Sequence, residues 1–377
     1  MIADVEQLVS PHVRAMQPYT PIVPLDVLSQ RLGIAPEAIV KLDANENPYG
    51  PSPRALEALA RAQDLNLYPD PDQTHLREAI GAFIGVDPAH ILCGAGSDEV
   101  IALIVHTFVR PEDAILDLPP TFGMYRWQAD ALNARYVPIP RRADFSIDLD
   151  SVQRAVAQTP SPRLLFVADP NNPDGSATSD EVLCELLKLP VIVVLDEAYI
   201  EFSGRQSRVG WVLEHPNLIV LRTFSKLAGM AGLRVGYGVF PTQIVAHVWK
   251  VKPPYTPNAA GMLAAAAALS DREHLDRSVA CLVAERERLR AALSAFSWLR
   301  VYPSQANFLL CHVEPTLPIA GGDPSWTAAR RLKHALEQRG VLVRYFDKDG
   351  LRDCIRISVG KPEHTDRLLA VLREVVG

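Results

Sequence analysis

The stretch from Val191 to Gly238 constrains this chain of 377 residues more than any other. It holds two runs rich in β-branched residues, Val191–Leu195 and Leu218–Leu221, whose length and composition predict buried parallel strands. Polar residues follow each run directly. In an open α/β sheet, ligands bind at the edge formed by the carboxyl ends of the strands. The sequence therefore predicts a ligand site at this edge of a mostly parallel sheet.

The polar side chains brought to this edge form a distinctive chemical set. They are an acid, a phenol, two hydroxyls, an amine and a guanidinium. Such a set suits a cofactor that carries a basic ring nitrogen, an aldehyde and a phosphate, and pyridoxal 5'-phosphate carries all three. In chain order the residues are Asp196, Tyr199, Thr223, Ser225, Lys226 and Arg234.

Three of these residues have predicted roles at the reacting part of such a cofactor. Lys226 can bind the aldehyde covalently and later move a proton, provided that its pKa is lowered by burial or by nearby cations. Asp196, buried opposite the ring nitrogen, can keep that nitrogen protonated. Tyr199 can donate a hydrogen bond to the ring oxygen. We therefore predict that these three residues carry the chemistry.

The phosphate of the cofactor needs a separate group of donors. The two hydroxyls and the guanidinium named above can bind a dianion. A Gly-rich turn, GAGS at 94–97, leads into a predicted helix over Asp98–Val109, whose first N–H groups are free to bind an anion. The turn completes no nucleotide-binding fingerprint. The predicted phosphate ligands are Ser97, Asp98, Thr223, Ser225 and Arg234.

Eight segments of the chain resemble those of one enzyme family, in the family's order. The lysine segment RTFSKLAGMAGLRVGYG is similar to that of the fold-type I pyridoxal-phosphate aminotransferases, in particular the histidinol-phosphate aminotransferases. The other segments are KLDANENPYGPSP at 41–53, LYPDP at 67–71, GSDE at 96–99, PPTFGMY at 119–125, DPNNPDG at 169–175, DEAYIEF at 196–202 and CIRISVG at 354–360. The resemblance implies an aminotransferase with pyridoxal 5'-phosphate as its cofactor.

The resemblance also implies a fold of the α/β class in two domains, which agrees with the length of the chain. We expect a large cofactor-binding domain over residues 51–270, with a mostly parallel central sheet flanked by helices. We expect a smaller α+β domain from residues 1–50 and 271–377, which includes an N-terminal arm. The first fifty residues are predicted to be mostly irregular, with a short helix at Leu25–Leu32.

Three more cofactor contacts are implied by the resemblance. Phe122, where the family usually has tyrosine, would stack on the pyridine ring. Asn172 would donate to the ring oxygen, although a turn asparagine is the alternative interpretation. The usual NPTG of the family reads NPDG here, with Asp174 in place of threonine. Tyr68 would reach the cofactor phosphate of a neighbouring subunit, which implies a homodimer.

The resemblance assigns five residues to the substrate. Arg356 would bind the substrate α-carboxylate as a fork of donors. Arg344 and Asn307 would lie close to it. Tyr19 would contact a substrate phosphate and Asn45 would face the carboxylate, but a packing tyrosine and a turn asparagine are the alternatives for these two.

The implied reaction is amino transfer from glutamate to imidazole-acetol phosphate, which yields histidinol phosphate and 2-oxoglutarate in histidine biosynthesis. A phenylalanine or tyrosine aminotransferase and an enzyme of the threonine-phosphate decarboxylase type remain alternatives. A non-catalytic binding protein on the same fold is a third. The presence of Lys226, Asp196 and Arg234 together argues against that last alternative.

Composition argues against several other classes of protein. The net charge of −6 and the lack of basic clusters argue against nucleic-acid binding. Five scattered cysteines without a CxxC pair argue against disulfides or a metal site, and we expect reduced core residues. The longest apolar stretch, at 262–269, is too short to span a membrane. We therefore expect a soluble, cytoplasmic enzyme.

Overall fold

The computed structural model describes residues 5–19 and 23–376. The strands, in chain order, are β1 (Val40–Leu42), β2 (Ile91–Gly94), β3 (Ala114–Asp117), β4 (Arg135–Pro138), β5 (Pro162–Ala168), β6 (Ile192–Asp196), β7 (Leu218–Thr223), β8 (Gly236–Val239), β9 (Leu299–Val301), β10 (Phe308–Val313), β11 (Val341–Tyr345) and β12 (Cys354–Ser358).

The α-helices are α1 (Pro11–Ala15), α2 (Leu25–Leu32), α3 (Pro53–Ala60), α4 (Thr74–Ile84), α5 (Ser97–Phe108), α6 (Met124–Leu132), α7 (Leu149–Gln158), α8 (Asp180–Leu187), α9 (Thr242–Val251), α10 (Ala259–Ser270), α11 (Arg272–Leu293), α12 (Ala328–Glu337) and α13 (Pro362–Val376). The predicted helix at Leu25–Leu32 is α2. None of the described helices is both long and apolar enough to cross a bilayer.

The large sheet has seven strands in the order β2-β8-β7-β6-β5-β3-β4. Strands β7, β6, β5, β3 and β4 are parallel, and β8 is antiparallel to both of its neighbours. The two predicted runs are β6 and β7, which lie side by side with Asp196 paired to Leu221. The predicted fold class, with a mostly parallel central sheet, is therefore confirmed.

Helices cover both faces of the large sheet. Successive side chains of a strand point to opposite faces, so Val193 and Leu195 belong to one apolar cluster and Val194 to another. Helices α3, α4, α7, α8 and α10 close the first cluster, and α5, α6 and α9 close the second. Burial on both faces explains why the central strands read as continuous apolar runs.

The small sheet has the order β1-β11-β12-β10-β9. Strand β1 is parallel to β11, and the other pairs are antiparallel. Its core contains side chains from α11, α12 and α13. The sequence did not predict β1, because a strand of three residues is specified by its partner rather than by its own pattern. Its partner strand lies about 300 residues further along the chain.

The expectation that all cysteines are core residues was wrong. Cys93, Cys311 and Cys354 are buried, but Cys184 and Cys281 are exposed, and all five are free thiols. Cys184 lies on α8 and Cys281 on α11, both of which turn one side to solvent. A cysteine on an amphipathic helix follows the face on which it falls, and its residue type alone does not decide its burial.

Candidate active site

One cleft of about 1390 Å³ lies between the two sheets. The carboxyl ends of β3, β5, β6 and β7 line one wall, and β11 and β12 line the other. Fourteen of the sixteen predicted site residues line this cleft. They are Tyr19, Asn45, Ser97, Asp98, Phe122, Asn172, Asp196, Tyr199, Thr223, Ser225, Lys226, Arg234, Arg344 and Arg356.

Lys226 follows β7 and reaches the centre of the cleft. Its Nζ donates to the carbonyl oxygen of Ala44 at 3.0 Å and lies 6.0 Å from the centre of the Tyr199 ring. Burial, and then the nearby Arg356 guanidinium, lower the pKa of this amine to about 8. An amine with this pKa is partly neutral near pH 7, which a nucleophile or proton carrier requires.

Asp196 ends β6 and is 5% exposed. Its Oδ2 accepts a hydrogen bond from the Tyr125 hydroxyl at 2.7 Å, and its Oδ1 accepts from the Ala198 backbone N–H at 3.1 Å. Burial raises the pKa of this carboxyl to about 6, and the two donors oppose that rise. The sequence interpretation missed Tyr125, because a tyrosine at the start of an amphipathic helix reads as a core residue.

Asn45 donates a hydrogen bond to the hydroxyl oxygen of Tyr199. The Nδ2 of Asn45 donates to Tyr199 Oη at 3.1 Å, so the phenol proton is free to be donated elsewhere. Asn45 has a left-handed backbone (φ 55°). The Ser358 hydroxyl accepts a hydrogen bond from the Asn45 backbone N–H and donates one to Asn45 Oδ1, which fixes the asparagine in place. This backbone conformation is one that asparagine tolerates in turns, but Asn45 is not in a turn, and it lines the cleft.

Asn172 lies on the loop after β5. Its Oδ1 accepts from Arg356 Nη1 at 2.5 Å, which leaves its NH₂ group as the donor for a ligand. Asp174, where the family has threonine, is buried and accepts from the Ser176 backbone N–H at 2.8 Å and from the Asn171 amide. The aspartate therefore closes the turn that presents Asn172.

Three of the five predicted phosphate ligands lie together at the start of α5, and the other two, Thr223 and Ser225, line the same cleft. Ser97 and Asp98 lie in its first turn, where backbone N–H groups and the helix dipole favour an anion. Arg234 Nη2 lies 2.9 Å from Asp98 Oδ2. Gly96 has a left-handed φ of 79°, and a Cβ there would lie 2.4 Å from Arg234 Nη2. The positive φ favours glycine at this position, and the missing side chain leaves room for the Arg234 guanidinium.

Arg356 and Arg344 are directly paired on neighbouring strands of the small sheet. Arg356 donates to Asn172 and to the Asp43 carbonyl oxygen at 2.8 Å, and its guanidinium lies 5.3 Å from the Phe308 ring centre and 5.5 Å from that of Phe346. Burial lowers the pKa of Arg356 to about 10, so it stays cationic at neutral pH. It is a fixed, charged fork that lines the cleft.

Two cations that the sequence interpretation missed extend this basic end. Lys348 and Arg126 line the cleft together with Arg344. The Lys348 Nζ lies 3.5 Å from where a Cβ on Gly123 would be, which places it beside the Phe122 segment. Burial lowers the pKa of Lys348, and Arg126 and Arg344 lower it further. Cations that disfavour each other's charge suit an anionic ligand.

Two predicted residues do not line the cleft. Asn307 is buried behind it, and its Nδ2 donates to the Asn45 carbonyl oxygen at 3.0 Å, so it supports Asn45 from behind. Tyr68 is 80% exposed and stacks on Tyr255 with ring centres 4.2 Å apart. Tyr68 is not among the described residues that line the cleft of its own chain.

Comparison with known proteins identifies the family. The model of the family "Aminotransferase class I and II" matches residues 37–372. The chain belongs to this family. It is similar to the histidinol-phosphate aminotransferase of Roseiflexus castenholzii, with 49% identity over 100% of both chains. It is also similar to the chloroplastic histidinol-phosphate aminotransferase of Nicotiana tabacum, with 46% identity over 98% of this chain and 86% of that one.

A solved structure of the same kind superposes closely on this aminotransferase-family chain. It is histidinol-phosphate aminotransferase from Sinorhizobium meliloti in complex with pyridoxal 5'-phosphate, with a TM-score of 0.86 and 29% identity over 97% of both chains. The cleft described above fits that cofactor by its donor set. A lysine with a lowered pKa, a buried carboxyl and an anion site at a helix start correspond to its aldehyde, ring nitrogen and phosphate.

Proposed function

We propose that this chain is a pyridoxal-phosphate-dependent aminotransferase that interconverts histidinol phosphate and 2-oxoglutarate with imidazole-acetol phosphate and glutamate, in histidine biosynthesis. The observation that carries this proposal is that one cleft joins Lys226 to two separate anion sites. The first is at Ser97 and Arg234, and the second is at Arg344 and Arg356. A phosphorylated substrate on a phosphorylated cofactor needs both sites. Relatives with 43–49% identity that bear this enzyme name support it.

The residues of the cleft would hold the cofactor by complementary groups. Lys226 would bind the aldehyde covalently, and Asp196 would interact with the ring nitrogen. Tyr199 and Asn172 would donate hydrogen bonds to the ring oxygen. Phe122 would stack on the ring. The cofactor phosphate would be bound by Ser97, Asp98, Thr223, Ser225 and Arg234. When bound, the cofactor supplies an electron sink that stabilises negative charge on the substrate α-carbon.

The chain's own residues would move the proton and orient the substrate. The Lys226 amine would take the proton from the substrate α-carbon and return it on the cofactor side, a shuttle that a pKa of about 8 allows at neutral pH. Arg356 would hold the carboxylate of glutamate as a bidentate fork. Histidinol phosphate carries its phosphate one carbon from the amine-bearing carbon, so Arg356 and Arg344 can receive that anion in the same part of the cleft.

The experiment for this proposal compares substrates on the wild-type enzyme. With 2-oxoglutarate as acceptor, kcat/KM for histidinol phosphate should exceed that for phenylalanine by about 100-fold or more, since each charge-assisted hydrogen bond contributes about 1.5–3 kcal/mol. A preference for phenylalanine would contradict the histidine-pathway assignment and leave amino transfer intact. Release of CO₂ from threonine phosphate would favour the decarboxylase alternative. Cofactor binding without any turnover would favour a non-catalytic protein.

We also propose that the enzyme acts as a homodimer. Tyr68 does not line its own cleft, and it belongs to an exposed apolar surface with Leu65, Leu67 and Tyr255. Such a surface is typical of an interface between subunits. A Tyr68 that does not line its own cleft can complete that of a partner, which is the role implied by the resemblance.

The domain division and the location of the enzyme are proposals as well. The strands of the large sheet all lie between residues 91 and 239, and those of the small sheet lie at 40–42 and 299–358. This supports a large domain at 51–270 and a small one from 1–50 and 271–377. We propose that the enzyme is located in the cytoplasm. The plant relatives are described as chloroplastic, so a plastid location is the alternative that cell fractionation would test.

A further inference from the structure

Tyr125 lines the cleft beside Asp196, and its sequence pattern predicts only a core residue. It is in the first turn of α6 and is completely buried. Its hydroxyl donates to Asp196 Oδ2 at 2.7 Å across 71 residues of sequence. The Ala198 backbone N–H binds the other carboxylate oxygen at 3.1 Å. Among the described residues, these two donors are what fix the orientation of the Asp196 carboxylate.

The ring of Tyr125 is clamped, so its hydroxyl has a fixed direction. It stacks on Phe166 of β5 with ring centres 4.5 Å apart and an angle of 9° between the planes. Its edge meets Phe122, the predicted stacking residue, with centres 5.7 Å apart and an angle of 85°. One side chain thus touches both the acid and the aromatic residue of the cofactor site. A residue in this place can fix their relative geometry.

We propose that Tyr125 is a positioning residue for catalysis, whose hydroxyl orients Asp196 toward the cofactor ring nitrogen and stabilises the charged form of that carboxylate. The proposal rests on the proposed role of Asp196. In this proposal Tyr125 has no contact of its own with the reacting atoms or the substrate. It acts through the acid, and it determines how strongly that acid competes with the ring nitrogen for one proton.

The physical reason lies in the opposing effects on Asp196. Burial raises its pKa, while the Tyr125 hydrogen bond lowers it. The other titratable groups that face this pair are Asp98, Asp117, Tyr199 and Arg141. Without the hydroxyl donor the carboxylate becomes a stronger base and draws the shared proton from the ring nitrogen. Because the ring then carries less positive charge, it becomes a weaker electron sink.

A second tyrosine–aspartate pair in the same sheet supplies a matched control. Tyr136 donates to Asp117 Oδ2 at 2.9 Å, and the Leu118 backbone N–H binds Oδ1 at 2.8 Å. Asp117 ends β3, lines the same cleft and has a pKa raised to about 6 by burial. The two pairs have the same chemistry and both aspartates are buried, although Tyr136 is only partly buried. They differ in that only Asp196 has a proposed cofactor partner.

The test compares Tyr125→Phe with Tyr136→Phe in the enzyme loaded with ¹⁵N-labelled pyridoxal 5'-phosphate. We expect the ring-nitrogen NMR signal of Tyr125→Phe to move toward the unprotonated position and kcat to fall about 10- to 100-fold. Tyr136→Phe should leave both unchanged. A Tyr125→Phe enzyme that loses activity or stability while its ring-nitrogen signal stays at the protonated position would overturn the proposal, because its role would then be structural.

Two further variants separate the possible failures. Asp196→Asn should move the ring-nitrogen signal at least as far as Tyr125→Phe does; if it does not, the proposed role of Asp196 fails first, and that of Tyr125 with it. If Tyr125→Phe does not fold, 3-fluorotyrosine at position 125 preserves the shape and donates a stronger hydrogen bond. It should move the ring-nitrogen signal in the opposite direction, toward the protonated position. No movement in a folded fluorotyrosine enzyme would also overturn the proposal.

Discussion

The two walls of the cleft carry different kinds of charged group, although both are buried. The wall from the large sheet holds Lys226 and Asp196, whose pKa values move to about 8 and about 6. The wall from the small sheet holds Arg356, whose pKa falls to about 10 and remains far above neutral. Burial destabilises every charge, but it creates a proton carrier only where the ordinary pKa is within reach of pH 7.

This difference divides the expected effects of substitution. Changes on the large-sheet wall should lower turnover for every substrate, because they alter proton transfer and the electron sink. Changes on the small-sheet wall and the N-terminal arm should alter binding and selectivity, because these residues hold and orient anions. If a change on the small-sheet wall lowered turnover equally for every substrate, or a change on the large-sheet wall altered only selectivity, the two walls would not act separately.

The largest effect is expected from Lys226→Ala. The folded variant should lack the visible absorbance of the covalently bound cofactor, and its kcat should fall by several orders of magnitude with any amine donor, since both attachment and proton transfer need that amine. Absorbance spectra and single-turnover assays measure this. Lys252→Ala removes another buried lysine with a lowered pKa outside the cleft and serves as the control. Normal turnover in Lys226→Ala would refute the mechanism.

The same amine gives a pH prediction for the wild-type protein without cofactor. The neutral form of Lys226 reacts with the aldehyde, and with a pKa of about 8 its fraction is about half at pH 8 and nearly complete about one pH unit higher. The rate of covalent attachment of pyridoxal 5'-phosphate should therefore increase with pH, reach about half of its maximum near pH 8 and level off above about pH 9. An increase that continues to the ordinary lysine pKa near 10.5 would contradict the effect of burial.

The next prediction concerns Tyr68, which lies outside both walls, and the measured effect is the activity recovered when two inactive variants are mixed. Lys226→Ala and Tyr68→Ala should each be inactive or nearly so, and mixing them under conditions of subunit exchange should restore up to about a quarter of wild-type activity. A hybrid dimer contains one site with both an intact lysine and an intact Tyr68 from the neighbour. Absence of recovery, with hybrids shown to form, would place Tyr68 outside the site and leave each cleft complete within one chain.

The large-sheet wall was predictable from sequence because its chemistry follows the strands. The runs that became β6 and β7 carry β-branched residues, and the polar residues that follow them fall at the carboxyl edge by the geometry of a parallel sheet. Lys226 and Asp196 therefore lie where the pattern put them. The phosphate ligands at the start of α5 were predictable in the same way, because a glycine turn before a helix leaves free N–H groups.

Contacts between distant parts of the chain were not predictable. Strand β1 is too short to have a pattern of its own and exists because β11 pairs with it. Tyr125 reads as a core residue, and only the folded chain shows that its hydroxyl meets Asp196. Lys348 lies on a charged loop that reads as a solvated surface, yet it reaches the cleft. Local patterns specify elements and their ends, whereas side-chain partners depend on packing.

The smallest effect is expected on the arm, in Tyr19→Phe. Tyr19 lines the cleft and remains half exposed, so its hydroxyl can add one hydrogen bond to a substrate phosphate but cannot take part in proton transfer. A hydrogen bond to a charged group contributes about 1.5–3 kcal/mol, so kcat/KM for histidinol phosphate should fall by about tenfold or somewhat more. The value for phenylalanine, which has no phosphate, should change little. Tyr345→Phe, which removes a hydroxyl from β11 at a position that does not line this cleft, is the control. An equal loss for both substrates would show that the arm acts on catalysis as the large-sheet wall does, and the division between the two walls would then fail.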